Sequence, residues 1–387
     1  SKKIYDFMNS YKDQNTTVLP KVAFVSPINK RCGIATYSEH LINHMGGLVN
    51  VYADYHSKEQ NSWPIKTKLC WNEENDELNN LKSEIINDEI DIVVVQFNYG
   101  FYEFTSLTSF LADLINLKKI VVIELHSTID PVNMPSKKLV LLKDILAKCD
   151  RIIVHDVSDM NRLKTIGLVE NVVIVPHGTL FDAGKNKVKE INQSKIKIAS
   201  YGFFLPGKGL IELIEGFNIA SNINDSIELF MYNAEYPIEA SKNLIASAHQ
   251  MIKEFDNNRI HLDTYFHSDA DTFGKLEDCD IIIYPYQQSN ESASGAVRYG
   301  LSSGALVLVS PLSVFDNVGS IVCRLSGFEP KLIANDILKY AQLLRDNPVS
   351  LQDLRNKQAD WTRAHSYSNI GYIYKNMLHS LFFNRGI

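Results

Sequence analysis

No run in the 387-residue chain approaches the ~20 consecutive apolar residues that carry a helix across a bilayer, so the pattern argues against a helical membrane protein. Five cysteines, Cys32, Cys70, Cys149, Cys279 and Cys323, form no close pair, which argues against a disulfide framework and a thiolate metal site. Charge of one sign is scarce too. With 39 Lys and Arg against 45 Asp and Glu, the net charge is −6, and the basic residues are dispersed, so nothing points to nucleic acid. HExxH, P-loop, CxxC and GxSxG patterns are missing, and the chemistries tied to them lose their footing. The first residues, "SKKIYDFMNSYKDQN", lack the apolar stretch and small-residue cleavage site of a secretory leader. A reducing cytoplasm is the expected setting.

What is present is the composition of a soluble globular protein, 45% hydrophobic and 22% charged, and its length suggests two domains. Short β-rich apolar runs alternate with longer amphipathic segments, the signature of βαβ units in a parallel sheet. Strands are expected from Lys21, Asp91, Lys119, Arg151 and Asn171, and in a second series from Lys195, Ser226, Arg259, Asp280 and Ala305. Between the series, "FDAGKNKVKEINQS" (Phe181 to Ser194) is polar and aperiodic and reads as a linker. The expected fold is α/β: two Rossmann-like, doubly wound domains facing a central cleft, residues 1–180 and 181–366. The terminal segment 367–387, helical in spacing, is free to pack back across the linker. Ligands in such sheets sit at the carboxyl ends of the strands, which makes the cleft the expected site.

Four segments at those strand ends could carry chemistry. Gly33, in "NKRCGIATYSEHL", falls at a strand-to-helix turn where backbone N–H groups could approach an anion, although a lone glycine there is equally a structural feature. In "YGFFLPGKGLIELIEGF", Gly202 ends a strand and Lys208 stands at a helix start, where the helix dipole disfavours a cation by about 0.3–1 kcal/mol unless an anion is nearby. In "NESASGAVRYGLSSG", Glu291 precedes a helix start of small residues, Ser292, Ala293, Ser294 and Gly295, whose free N–H groups could meet a diphosphate. Glu291 could instead be an N-cap acid. His126, at the end of "KIVVIELHS", is the fourth candidate, against the plainer reading of a core histidine.

Two further patterns are set aside or left open. The Asp269–Ala270–Asp271 and Asp278–Cys279–Asp280 pairs read as helix-terminal acids rather than a metal-diphosphate motif. "SKKLVLLKDILAK" (Ser136 to Lys148) reads as an amphipathic helix with Lys137, Lys138, Lys143 and Lys148, either a solvated face or a surface for an anionic membrane.

In this order the segments resemble the GT-B glycosyltransferases, specifically the large retaining family 4 of nucleotide-sugar-dependent enzymes. The likeness runs along the whole chain and rests on Gly33, His126, the "G-x5-KG" turn (Gly202, Lys208, Gly209), Glu291 with Gly304 and Val307 after it, and a terminal segment like the family's returning last helix. The resemblance implies that Gly33 and the N–H of Ile34 face the donor diphosphate from the first domain. It implies that Lys208 neutralises that diphosphate, and that Glu291 binds hydroxyls of the transferred sugar beside Ser294 and Gly295. His126 would lie by the anomeric carbon, and Asn233 and Phe266 would flank the base. Two positions depart from the family pattern: Phe203 replaces an arginine, and Tyr299 replaces a second, ribose-binding glutamate. Arg298, seven residues after Glu291, would share its helix face if the helix begins that early and could supply the missing cation. Tyr299 keeps a hydroxyl for the ribose.

The implied reaction is transfer of a hexose from a UDP- or GDP-sugar to a saccharide, lipid-linked saccharide or protein acceptor. It proceeds with retention and needs no metal or other cofactor. Peripheral contact with the inner face of the membrane is compatible with the basic segment. An epimerase or hydrolase of the same fold, or a non-catalytic sugar-nucleotide- or glycan-binding protein, is the alternative.

Overall fold

The computed structural model describes residues 19–47, 49–57, 65–72, 78–180 and 195–385. Valine- and isoleucine-rich runs build two separate, wholly parallel sheets. The first comprises β1 (Val22–Val25), β2 (Val49–Asp54), β3 (Thr67–Trp71), β4 (Ile92–Phe97), β5 (Ile120–Leu125), β6 (Arg151–Val154) and β7 (Val172–Ile174), in the order β3-β2-β1-β4-β5-β6-β7. The second comprises β8 (Ile196–Phe203), β9 (Ile227–Ala234), β10 (Ile260–Asp263), β11 (Ile281–Tyr284), β12 (Leu306–Val309) and β13 (Cys323–Arg324), in the order β10-β9-β8-β11-β12-β13. Strands β1, β4, β5, β11 and β12 are buried at every position, as expected where helices cover both faces of a parallel sheet. In both sheets the strand order reverses beside the first strand, so the two switch points lie between β1 and β4 and between β8 and β11.

Three strands, β2, β3 and β13, go beyond the sequence expectation. The expected linker over 181–194, and with it the boundary at 180/181, lies outside the described residues. The chain returns to the first sheet nonetheless. Thr179 donates its N–H to His365 and accepts from that of Tyr367, so the two crossings run side by side. Helix Tyr367–Arg385 then packs along helix Gly33–Met45 and closes the second face of the first sheet with Tyr367, Ile370, Tyr374 and Leu378. Gly371 permits that approach: a Cβ there would lie 2.8 Å from the backbone of His44. A fully buried carboxylate, Glu124 on β5, fixes the register, accepting from Tyr374 Oη at 3.0 Å, Tyr37 Oη at 2.6 Å and Gln96 Nε2 at 2.7 Å.

The segment from Ser136 to Lys148 is not one amphipathic helix. It breaks into two 3-10 turns, Pro135–Lys137 and Leu139–Leu142, and a single α turn, Lys143–Leu146. Asp130 causes the break by accepting the Leu139 N–H at 2.8 Å, while Lys138 is extended. Among the described residues no helix is long and apolar enough to cross a membrane.

Candidate nucleotide-binding cleft

The carboxyl ends of the two sheets face a cavity of about 490 Å³, walled from one side by Gly33, Tyr37, His40 and His177 and from the other by Gly202, Lys208, Phe266, Glu291, Gly295 and Arg298. On the first side, Cys32 is extended and caps nothing with its side chain, and the helix begins at Gly33. A Cβ on Gly33 would meet nothing within 4 Å, so the backbone is open to the cavity there. Ile34 is turned away and packs against the first core.

On the second side, two glycines shape the turn that presents Lys208. Gly209 has φ +69°, and a Cβ on it would fall 1.9 Å from the Pro285 carbonyl oxygen; Gly207 has φ +79° and its carbonyl accepts the N–H groups of Gln287 and Gln288. Thus the turn is pressed onto the loop after β11, which brings Lys208 Nζ to 2.8 Å from Glu291 Oε1 and 3.9 Å from the centre of the Tyr286 ring. Burial acts to lower the Lys208 pKa, but Glu291 and Tyr286 outweigh it and hold the ammonium above its ordinary value.

Glu291 caps no helix. Helix Gly295–Ser303 starts four residues later than a start at Glu291 would require, and its N-cap is Ser294, whose hydroxyl accepts the Val297 N–H. Ser292 donates its N–H to the His126 carbonyl at 3.2 Å, and Ser127 Oγ donates to the Asn290 carbonyl at 2.6 Å, tying the end of β5 to this loop. The expected anion cradle of Ser292, Ala293 and Ser294 is therefore displaced by one turn: these residues do not line the cavity, whereas Gly295 and Ala296 do. Gly202, at φ +131°, lets β8 approach that helix start, since a Cβ would lie 3.4 Å from Ala296 Cβ.

The later helix start also removes the helical-wheel relation between Glu291 and Arg298, yet Arg298 reaches the cavity wall. It is 3% exposed, its Nη1 donates to the Ser294 carbonyl at 2.8 Å, and its Nε has no partner among the described residues. Burial brings its pKa down to about 10, leaving it charged at neutral pH. No ion pair of Arg298 with a carboxylate forms among the described residues. A buried charge without a counter-ion costs several kcal/mol, so an anion in the cavity would meet a site already waiting for it.

Other expected contacts are redistributed. Tyr299 donates its hydroxyl to Asp269 Oδ1 at 2.7 Å, and His40 Nε2 lies 3.2 Å from Asp269 Oδ2, so the hydroxyl expected to face a ribose is engaged in a contact between the two domains. His126 stands behind the cavity wall rather than on it. Its Nε2 is 2.6 Å from Gln96 Oε1, its Nδ1 is 3.4 Å from His155, and burial, then His155, lower its pKa well below the ordinary value. Asn233 is buried, accepts from Ser200 and borders only a narrow crevice behind Gly202. Phe266 does face the cavity and stacks on Phe203 at 5.8 Å and 6°, so Phe203 joins an aromatic wall with Phe266 and Tyr236.

Asp269 and His177 are among the cavity residues that sequence reasoning missed. Asp269 was hidden by its plausible place in a helix first turn. His177 follows β7 as His126 follows β5, so the same strand-end rule would have found it. Among the described residues, no group of three or more His, Cys, Asp and Glu side chains is placed to hold a metal ion.

No protein-family model matches the chain, and no curated protein matches its sequence. Solved structures do match its shape. Anabaena HepE in complex with UDP and glucose superposes with a TM-score of 0.73 at 14% identity, over 93% of this chain and 100% of that one. Sucrose-phosphate synthase from Thermosynechococcus elongatus gives 0.72 at 12% identity over 94% and 100%. The UDP-forming alpha,alpha-trehalose-phosphate synthase from Burkholderia vietnamiensis gives 0.73 at 9% identity over 95% and 99%. The chain thus has the two-domain GT-B fold that these structures share, with its cavity between the carboxyl ends of two parallel sheets.

Proposed function

We propose that the protein is a retaining glycosyltransferase that moves a hexose from a nucleoside diphosphate sugar, UDP- or GDP-hexose, to an acceptor hydroxyl. The observation that carries this reading is Arg298, a buried guanidinium with no carboxylate in ion-pair contact among the described residues, on the wall of an interdomain cavity beside the open start of helix Gly295–Ser303. The likeness to HepE, which was captured with UDP-glucose, supports a uridine donor.

In this reading the diphosphate lies between Gly33, Gly295 and Arg298, with the base toward Phe266. Glu291 turns from Lys208 to the sugar hydroxyls, and the released ammonium contacts phosphate. The bond between the anomeric carbon and the phosphate oxygen breaks, the acceptor oxygen bonds to the same face, and its proton passes to the leaving oxygen. Catalysis is then chiefly electrostatic, through cations and helix N–H groups already oriented toward the developing charge, with no metal in the scheme. A screen of UDP-, GDP-, ADP- and TDP-hexoses by calorimetry, with the anomeric configuration of any product read by NMR, tests the reading. Binding of none of them, or an inverted product, refutes it.

The acceptor side carries a second element of the proposal, contact with an anionic membrane surface. After β5, Val132 is 79% exposed, Met134 55% and Leu141 58%, along a stretch that carries the exposed Lys138, Lys143 and Lys148. Apolar tips among lysines suit an anionic bilayer. Co-sedimentation with phosphatidylglycerol vesicles, lost on Val132→Asp with Leu141→Asp and absent with phosphatidylcholine alone, is expected; equal sedimentation of parent and variant refutes it.

A further inference from the structure

The corner of the cleft where helix Gly295–Ser303 begins contains an imidazole with no assigned task. His177 packs its ring against Tyr37, with ring centres 4.7 Å apart, and lines the cavity. Its Nδ1 is 3.0 Å from the Gly178 carbonyl oxygen, which can only accept, so Nδ1 carries the hydrogen. In the neutral ring Nε2 then bears a lone pair. That atom points at the helix start: a Cβ added to Gly295 would stand 3.7 Å from Nε2.

The protein's own groups disfavour a second proton on this ring. The helix N-terminus is positive, Arg298 is close enough to act on the imidazole, and the ring is buried. A diphosphate reverses the two electrostatic conditions. It neutralises Arg298 and the helix start, and a phosphate oxygen facing a bare Nε2 would be lone pair against lone pair. Only the imidazolium can donate to it.

We propose that His177 is a phosphate-binding residue of this cleft and takes up a proton as the diphosphate enters. The proposal rests on the nucleotide-sugar reading above and deepens it. The groups facing the ring are Arg298 from helix Gly295–Ser303, His155 and His126 from the ends of β6 and β5, Tyr37 from helix Gly33–Met45, and Tyr367 from the terminal helix. Burial first, then Arg298, hold the free imidazole well below its ordinary pKa, while both tyrosines are pushed up and stay neutral. The sign follows. Bound anion raises the His177 pKa, so the gain in affinity is complete below the free-state value and is lost as pH rises through the bound-state value.

The probe must not titrate itself. UDP-2-fluoroglucose, or the 2-fluoro analogue of whichever donor the screen selects, has diester phosphates that stay fully ionised across the range. Calorimetry in buffers of different ionisation enthalpy, from about pH 5.5 to 8, then counts protons. The parent is expected to bind with an uptake approaching one proton, and its Kd to rise up to about tenfold per pH unit at the steepest point. His177→Gln, checked for an unchanged thermal melt, is expected to bind with no uptake and a flat Kd. No uptake by the parent anywhere in the range, or uptake retained in His177→Gln, overturns the proposal and leaves the donor reading standing. If no analogue binds the parent at all, the donor reading fails and this one with it.

Discussion

Replacing Arg298 by methionine should weaken donor binding while changing stability little. The guanidinium is 3% exposed, and among the described residues it has no carboxylate in ion-pair contact and one hydrogen bond, to the Ser294 carbonyl. Methionine fills comparable space without burying charge. Relief of an uncompensated buried charge contributes about 1–4 kcal/mol, against the loss of one hydrogen bond worth about 1.5–3 kcal/mol. The net change lies between about 2 kcal/mol destabilising and about 2.5 kcal/mol stabilising, a shift in melting temperature of at most a few degrees either way. Donor binding loses a charge-assisted contact of about 1.5–3 kcal/mol, a weakening of about 10- to 150-fold. Ligand-free thermal melting and calorimetry with UDP-glucose read the two effects separately. A variant that melts well below the parent and binds UDP-glucose as tightly would show Arg298 to be a structural residue, and the reasoning would fail.

Three further outcomes are expected from the same geometry. Lys208→Ala and Glu291→Ala should each lower kcat by about 10²-fold or more, and the double variant should cost less than the sum of the two in free energy, because the residues form one ion pair at 2.8 Å; additive losses in steady-state kinetics would contradict that coupling. Gly209→Ala places a Cβ 1.9 Å from the Pro285 oxygen at φ +69°, so the turn must open, lowering the melting temperature and weakening donor binding together. Asp269→Asn should loosen the contact with His40 and Tyr299, which scattering would read as a wider cleft in the ligand-free protein; an unchanged radius of gyration would count against a holding role.

The parts of this fold that were legible in sequence are those governed by burial. Strands β1, β4, β5, β11 and β12 are covered on both faces and read as unbroken apolar runs. The strands that escaped lack that signature. β2 contains Asn50 and Asp54, β3 is a partly exposed edge, and β13 has two residues. The segment from Ser136 misled because helical spacing was overridden by one side chain, Asp130, capturing the Leu139 N–H. For the site, the strand-end rule found Gly33, Gly202, Lys208, Glu291 and Gly295, and the family resemblance added Arg298, Tyr299 and Phe266; all of them line one cavity. The first also placed His126 there and the second Asn233, although both lie behind the wall. What no local pattern contains is which side chains meet across the cleft: Lys208 with Glu291, 83 residues away, or Asp269 with His40.

Phe203 and Tyr299, the two positions that depart from the pattern of the glycosyltransferases the sequence resembles, make sense together once charge is counted on the side of the cleft proposed to hold the diphosphate. Phe203 gives up a cation to extend the aromatic wall with Phe266, and Tyr299 gives up a carboxylate to hold Asp269. Lys208 is already neutralised by Glu291, so Arg298 is the only net positive charge these three side chains offer to a ligand bearing two negative ones. Two routes can supply the second charge. Glu291 can leave Lys208 for the sugar, which requires a sugar on the diphosphate, or His177 can take up a proton, which does not. The routes separate by ligand: a methyl diester of UDP, with two fixed charges and no hexose, should still draw a proton onto His177 but leave the Lys208–Glu291 pair closed. It should therefore bind more weakly than UDP-2-fluoroglucose, by a margin that disappears in Glu291→Ala. A margin that persists in Glu291→Ala would mean that the hexose is recognised elsewhere on the cavity wall.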